Sequence, residues 1–263
     1  MPLSRDSRTA ARARGNGVRG QLCCHRPRIG YSGCPFGSEG TLRVTHDARH
    51  YESLYDERYF SGQRSFFYRL TGGYRDLKAV FDGYAADVRR YASGGRLLDV
   101  GCAFGYLLQR FEGDFETFGL DVSDHAIAEA RRKAPASTLR VHNVLDPFPF
   151  DDATFDVVTM TDLLEHVPDT PRILAEVARV CRPGAILYVT TPTRNLVRRL
   201  VYWIPDRLEH HTNLLSFRQL GRCLDDAGFR VIERFTSLSA AVGTRFRNGA
   251  GPEQTYIARR RTS

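Results

Sequence analysis

Residues 97–108 read LLDVGCAFGYLL and decide the fold of this chain. An apolar run carries Asp99 near its end, Gly101 and Gly105 follow, and the apolar spacing of a helix begins at Tyr106. This pattern predicts a buried strand, a tight glycine turn and a helix in immediate succession. Ligands of open α/β sheets lie beyond the carboxyl ends of the strands, so this turn is the first predicted ligand-binding element.

The sequence after residue 96 alternates between strand and helix patterns. Strands are predicted at 96–101, 115–122, 138–144, 154–161, 185–192, 229–238 and 255–261, and helices at 74–92, 106–111, 123–134, 170–181 and 216–228. Strands separated by such helices predict an α/β fold with a mostly parallel sheet and helices on both faces. The last two strands have no helix between them, so the predicted seven-stranded sheet ends in an antiparallel edge hairpin.

The second predicted strand ends at Asp121, twenty residues beyond Gly101. An acid at this place accepts hydrogen bonds from ribose hydroxyls, which fits a dinucleotide or S-adenosylmethionine. A dinucleotide fingerprint needs a small third residue, where this chain has Tyr106. Asp99 also suits an ammonium group better than a pyrophosphate. A ligand with an amino acid end and a ribose end accounts for both acids.

Four motifs between about residues 95 and 235 resemble, in the same order, those of the class I S-adenosylmethionine-dependent methyltransferases. They are LLDVGCAFG, GLDVS, NVLDPFPFDDATFDVV and LLEHVPDTPRILAEVARVCRPGAILYVTTP. The chain is similar in particular to the small-molecule branch that includes ubiquinone-type O-methyltransferases. The resemblance implies a Rossmann-like sheet, S-adenosyl-L-methionine as the cofactor and a small-molecule acceptor.

The resemblance also assigns roles to individual residues. Asp99 orients the methionine end of the cofactor and Asp121 binds the ribose hydroxyls. Asn143 stands where the family often has Asp, and its carbonyl oxygen still accepts a bond from the adenine amino group. The remaining implied cofactor-binding residues are Gly101, Ala103 and Gly105 through their backbone, Val122 and Val144 beside the adenine, and Thr161 beneath the cofactor.

Three histidines are candidate catalytic residues, because methylation of a hydroxyl requires removal of its proton and His is the natural base near neutral pH. His166 follows the fourth strand. His210 and His211 lie in EHHTNLLSF, residues 209–217, after the stretch where the family binds its acceptor. The alternatives are that His166 only shapes a loop and that the other two are solvated residues before a helix.

Metal binding is an alternative function for two stretches, although no metal site is assigned. Asp162, Glu165 and His166 form a D-x-x-E-H pattern, and similar patterns in ubiquinone-type relatives are associated with magnesium. Capping and loop hydrogen bonds explain the same residues without an ion. The stretch CCHRPRIGYSGC, residues 23–34, resembles the tail of a zinc ribbon and precedes YDERYFSG at 55–62, but its second Cys-x-x-Cys knuckle is absent.

The chain is predicted to consist of three parts. Residues 1–45 are a disordered or degenerate N-terminal segment, 46–92 a helical cover, and 93–263 the methyltransferase domain with an acceptor-binding insertion at about 193–215. Within the insertion, RNLVRRLVYWIPDRL mixes Arg with large apolar residues. It is interpreted as a substrate lid, with contact to a membrane or a lipid-like acceptor as the alternative.

Composition limits the partners and the compartment. The net charge is +8, but residues 1–50 hold nine Arg and three acids, so a basic nucleic-acid groove on the domain is not expected. No apolar stretch is long enough for a membrane span, and no secretory signal is recognisable, so a cytoplasmic location without stable membrane insertion is expected. Cys102, Cys181 and Cys223 are predicted to be buried as small apolar residues.

The predicted function is methyl transfer to a small molecule, with a hydroxyl acceptor in secondary metabolism as the first interpretation. N- or C-methylation remains open, because an amine needs little help from a base. A non-catalytic S-adenosylmethionine-binding partner subunit and a nicotinamide-dependent oxidoreductase are the alternatives from other classes. The oligomeric state is left open, with a dimer as one option.

Overall fold

The structure, a computed structural model, describes residues 51, 53–209, 211–238, 241–247 and 249–262. The N-terminal segment 1–45, with the predicted disorder and the cysteine-rich stretch, lies outside the described residues. His210 also lies outside them.

The elements follow the predicted alternation closely. The helices are α1 (Glu57–Phe60), α2 (Phe66–Thr71), α3 (Lys78–Arg89), α4 (Tyr106–Phe111), α5 (Asp124–Lys133), α6 (Thr170–Val180), α7 (Leu196–Val201), α8 (Trp203–Leu208) and α9 (Phe217–Asp226). The strands are β1 (Gly95–Val100), β2 (Phe115–Asp121), β3 (Thr138–Val141), β4 (Phe155–Thr161), β5 (Cys181–Pro192), β6 (Phe229–Leu238), β7 (Ala241–Phe246) and β8 (Glu253–Arg260). A single 3₁₀ turn, Leu164–His166, follows β4.

Local signals set several helix starts. Ser123 accepts a hydrogen bond from the backbone of Ala126 at the start of α5. Ser216 and Gln219 form a reciprocal capping box at the start of α9. Such caps satisfy backbone donors that have no partner within the helix, which explains why these predicted starts agree with the structure.

The sheet has eight strands in the order β3-β2-β1-β4-β5-β8-β6-β7. Strands β1 to β5 pair in parallel, and β8 runs antiparallel to both β5 and β6. The Rossmann-like fold class is confirmed, with eight strands instead of the predicted seven. The additional strand is β7, whose sequence AVGTRF has too little alternation to be recognised.

The predicted edge hairpin also needs a correction. Strands β6 and β8 do pair antiparallel, but β8 lies inside the sheet and β7 forms the edge. Residues 254–258 of β8 are all buried. A strand covered on both faces belongs in the interior of a sheet, because its unpaired edge would otherwise face water.

The apolar core lies on both faces of the sheet. In β1, Leu97 and Leu98 point to opposite faces and join different apolar clusters. This alternation is the period of two expected for a strand, and both side chains are fully buried because helices cover both faces. Cys102, Cys181 and Cys223 are buried and unbridged, as predicted.

The N-terminal part of the described chain packs on the glycine turn. Asp56 caps α1 by accepting the backbone amides of Arg58 and Tyr59. The ring of Phe60 then lies 4.8 Å from that of Phe104, which belongs to the turn after β1. Within the described residues, no helix is both long and apolar enough to cross a membrane.

Candidate active site

The turn after β1 is held by backbone hydrogen bonds to β2. The amides of Gly101 and Cys102 both donate to the carbonyl of Leu120, at 2.8 and 3.0 Å. Gly101 has φ +80° and Ala103 has φ +45°, which are left-handed conformations. Glycine adopts this region freely, whereas an alanine does so only when its surroundings hold it there.

Gly105 differs from the other residues of the turn because it contributes to helix packing. It begins α4 with φ +73°, and a Cβ at this position would lie 3.2 Å from the Cβ of Ala130 and 3.3 Å from that of Ala134. The missing side chain therefore allows α4 to pack against α5. The lining of the cavity described next includes Gly101 and Ala103 but not Gly105.

A cavity of about 600 Å³ opens at the carboxyl ends of β1, β2 and β4. This volume lies in the range of about 300–1,000 Å³ that is usual for small-molecule sites. The predicted cofactor-binding residues that line it are Asp99, Gly101, Ala103, Asp121, Val122, Asn143, Val144 and Thr161. The sheet brings these residues together because its parallel strands end at a common edge.

Two carboxylates are buried beside the turn. Asp99 is 1% exposed and accepts a hydrogen bond of 2.7 Å from the hydroxyl of Thr159. Asp121 accepts the amides of Ala103 and Ser123, both at 2.9 Å. Burial raises the pKa of Asp99 to about 7. Within the described chain neither carboxylate forms an ion pair, so each is suited to a ligand that brings hydrogen-bond donors or a positive charge.

At the predicted adenine end of the cavity, the side-chain oxygen of Asn143 already accepts one hydrogen bond from within the chain. The side-chain oxygen of Asn143 accepts the amide of Leu145 at 3.0 Å. An amide oxygen has two lone pairs, so one remains for an external donor. The cavity therefore offers acceptors at the three places where the sequence analysis predicts an ammonium group, a ribose and a base, namely Asp99, Asp121 and Asn143.

The two candidate catalytic histidines that the structure describes meet in the same cavity. The ring centroids of His166 and His211 are 5.0 Å apart, although the residues follow different strands. Asn213 explains this approach, because its side-chain amide donates to the carbonyl oxygens of Leu164 and Val167 at 3.2 and 2.8 Å. These hydrogen bonds fix the end of the insertion to the turn after β4.

His211 is oriented by a buried acid that the sequence prediction missed. Nδ1 of His211 lies 2.9 Å from a carboxylate oxygen of Asp206, which is 8% exposed. Arg198, 2% exposed, binds the same carboxylate at 2.6 Å. Burial alone would raise the pKa of Asp206, but the hydrogen bonds from His211 and Arg198 hold it below its usual value. The only sequence signal for Asp206 is an acid five positions before a candidate histidine.

Glu165 has a different environment. It is 1% exposed and accepts a hydrogen bond of 2.8 Å from the hydroxyl of Thr191. Burial, and after it the neighbouring carboxylates, raises the pKa values of both Asp162 and Glu165. Among the described residues, Glu165, His166 and His211 offer ligand atoms within 4.8 Å of one another. A divalent ion is thus an alternative occupant here, with His211 in the place that the sequence pattern gave to Asp162.

The far side of the cavity is walled by tyrosines that the prediction did not place in the site. We call this part the acceptor chamber; its walls are Tyr55, Tyr59, Tyr68, Tyr84, Tyr188 and Tyr202. The N-terminal cover is attached to the insertion here, because Ser65 donates a hydrogen bond of 2.8 Å to the buried carboxylate of Glu209. For Tyr55, Tyr59 and Tyr68, the density of Tyr and Phe in residues 46–72 was the available signal.

The fold and the two buried acids define the class: an α/β protein with a cavity for a ligand that has an amino acid end and a ribose end. The family model described as a methyltransferase domain matches residues 77–234, which is more than half of the chain. The chain therefore belongs to the methyltransferase-domain family. Family and fold imply S-adenosylmethionine as the cofactor.

Relatives of known name support this assignment. A ubiquinone biosynthesis O-methyltransferase from Idiomarina loihiensis is 28% identical over 156 residues, which cover 53% of this chain and 63% of that protein. One from Thiobacillus denitrificans is 36% identical over 161 residues, which cover 56% of this chain and 69% of that protein. The chain thus spans less than two thirds of the length of the first of these relatives and slightly more than two thirds of the second.

A solved structure supports the fold. An S-adenosylmethionine-dependent methyltransferase from Thermotoga maritima superimposes with a TM-score of 0.59 at 16% sequence identity. The superposition covers 70% of this chain and 90% of that chain. At this level of identity the likeness concerns the architecture alone.

Proposed function

We propose that this protein transfers a methyl group from S-adenosylmethionine to a hydroxyl group of a small-molecule acceptor. The observation that carries the proposal is the Asp206–His211 pair, whose histidine lines the same cavity as the glycine turn. When bound, the cofactor supplies an electrophilic methyl group. The chain's own residues must then orient the acceptor hydroxyl and take its proton.

His211 is the proposed general base. Asp206 is ionised and can only accept hydrogen bonds, so the proton of the neutral ring is on Nδ1 and the lone pair is on Nε2. This lone pair takes the proton of the acceptor hydroxyl while the new oxygen–carbon bond forms. The buried carboxylate of Asp206 stabilises the imidazolium that results, as in other Asp–His pairs.

His166 is the proposed acceptor-orienting residue. Its ring lies edge-on to those of His211 and Tyr55, with centroids 5.0 and 5.5 Å away. It therefore forms the wall of the chamber directly beside the proposed base. The names of the relatives, which are O-methyltransferases, support oxygen as the accepting atom. Secondary metabolism is the proposed setting.

The proposal is tested by incubating the full chain with S-adenosylmethionine and a panel of catechols, phenols and aliphatic alcohols. Methyl ethers and S-adenosylhomocysteine are quantified by mass spectrometry. For the acceptor that reacts, His211→Gln is expected to lower kcat by about 10²–10⁴-fold while leaving cofactor affinity within a few-fold. His166→Gln is expected to raise KM more than it lowers kcat.

Two controls separate this mechanism from the alternatives. His142→Gln removes a histidine outside the cavity lining and should leave both constants unchanged. Rates should be the same with EDTA as with added Mg²⁺, whereas an ion held by Glu165, His166 and His211 would make them differ. Binding of S-adenosylhomocysteine without any methylated product would contradict the proposal and favour a binding-only subunit.

A further inference from the structure

Acidic side chains outnumber basic ones around the cavity. Among the described residues of its lining, seven are Asp or Glu and three are Arg. Asp99 and Asp121 are accounted for by the cofactor. Of the others, Glu165 lies beside His166 and His211, and Glu209 accepts a hydrogen bond from Ser65.

The arginines of the lining are already engaged or lie at the surface. Arg198 is bound to Asp206 at 2.6 Å and to Glu253 at 2.8 Å. Arg245 is bound to the buried carboxylate of Asp87 at 2.7 Å. Arg75 is exposed to solvent. Within the described lining, no guanidinium in the interior is left over to neutralise an anionic ligand.

Burial also disfavours an added negative charge in this chamber. It raises the pKa values of Tyr55 and Tyr68, because the ionised form of either phenol would lose its hydration there. A carboxylate or phosphate on the ligand would lose its hydration in this chamber and gain no opposite charge, which is a costly transfer.

The walls themselves favour an aromatic or other flat ring. Tyr55 lies edge-on to Tyr59 at 5.0 Å, and the ring of Tyr84 lies 5.7 Å from that of Tyr188. Tyrosine rings present large apolar faces, on which a ring stacks with little loss of conformational entropy.

We propose that the chamber selects a ring-bearing hydroxyl compound without a negatively charged substituent. This inference rests on the proposed hydroxyl methylation and adds the charge class of the acceptor. The electrostatic part of the selection comes from the lack, among the described lining residues, of an interior guanidinium that is not already paired, and the apolar part comes from the tyrosine walls.

Three catechols of similar size and different charge test the proposal: 3,4-dihydroxyphenethylamine, methyl 3,4-dihydroxybenzoate and 3,4-dihydroxybenzoate. Their binding to the full chain saturated with S-adenosylhomocysteine is measured by calorimetry, and their methylation is measured separately with S-adenosylmethionine. The ester and the amine are expected to bind at least tenfold more tightly than the acid.

Each outcome has a definite meaning. Tighter or equal binding of the acid overturns the inference while leaving the proposed reaction intact. Binding of none of the three overturns it as well, since the walls then do not accept a ring of this size. Preferential binding of the ester and amine without methyl ether formation supports the charge selection and rejects the proposed reaction.

Discussion

Nδ1 of His211 lies 2.9 Å from a carboxylate oxygen of Asp206, and Arg198 holds the same carboxylate from the other side. All three residues belong to the insertion between β5 and α9. A base, the acid that orients it and the cation that keeps the acid ionised therefore form one buried unit.

Asp206→Asn is expected to lower kcat by about 10²-fold or more, because an amide no longer fixes the proton of His211 on Nδ1. Cofactor affinity should stay within a few-fold. Steady-state kinetics over a range of pH, with calorimetry for the cofactor, measure both effects.

Asp156→Asn is the matched control, since it removes another carboxylate bound to an arginine, Arg182, outside the cavity lining. Equal losses in the two variants would mean that only stability is affected.

Asp121→Asn is expected to weaken binding of S-adenosylhomocysteine by about 1.5–3 kcal/mol, which is the usual contribution of hydrogen bonds to a charged group. The carboxylate receives the amides of Ala103 and Ser123 and is placed to receive ribose hydroxyls as well. Calorimetric titration measures the change. Asp124→Asn, an exposed acid in the first turn of α5, is the control and should bind normally. An unchanged affinity of the Asp121 variant would remove this residue from the ribose site.

Asp99 is expected to make the ligand-free protein less stable as the pH rises. Burial raises the pKa of Asp99 to about 7 in the folded chain, so the folded form binds this proton more tightly than the unfolded chain does. Its contribution to the free energy of unfolding is present in full below about pH 4 and is lost as the pH rises towards 7, by up to about 4 kcal/mol. Urea unfolding between pH 5 and 8 measures the trend.

Asp99→Asn should weaken this dependence on pH without abolishing it, because burial also raises the pKa values of Asp121, Asp162 and Glu165. Asp156→Asn should retain it, because opposing hydrogen bonds and charges outweigh burial and keep the pKa of Asp156 below the tested range. Parallel curves for the wild type and Asp99→Asn would show that the Asp99 carboxyl does not titrate differently on folding.

Gly105→Ala is expected to destabilise the fold by about 2–4 kcal/mol. The left-handed conformation costs an alanine about 1–2 kcal/mol, and the contacts with Ala130 and Ala134 add the cost of overpacking. Thermal unfolding measures the sum. At Gly184, φ is +85° and an added Cβ would contact no other atom. Gly184→Ala therefore measures the cost of the left-handed backbone without any packing cost. At Gly113 an added Cβ would contact no other atom and the backbone is not left-handed, so Gly113→Ala should leave stability unchanged. Unchanged stability of Gly105→Ala would reject the packing argument.

Much of the fold could be predicted because it is encoded locally. The helix over 106–111 and the strand over 229–238 have the predicted bounds, since the spacing of apolar residues marks both. Strand β7 could not be predicted, because its pairing with β6 and not its own pattern makes it a strand. The interior place of β8 likewise depends on burial of both its faces, which a strand pattern alone does not assign to a position in the sheet.

The sequence by itself determined the glycine turn, the acids Asp99 and Asp121 at the ends of their strands, and the histidines as candidates. These follow from short-range patterns, because strand ends and turns are specified by neighbouring residues. Only the tertiary structure decided that Asp206 orients His211, that His166 lies beside that ring, and that the cover supplies part of the tyrosine walls. These contacts join residues of separate elements, including pairs more than a hundred positions apart, such as Ser65 and Glu209. They exist only because packing of the apolar core brings the cover, the sheet and the insertion to one edge.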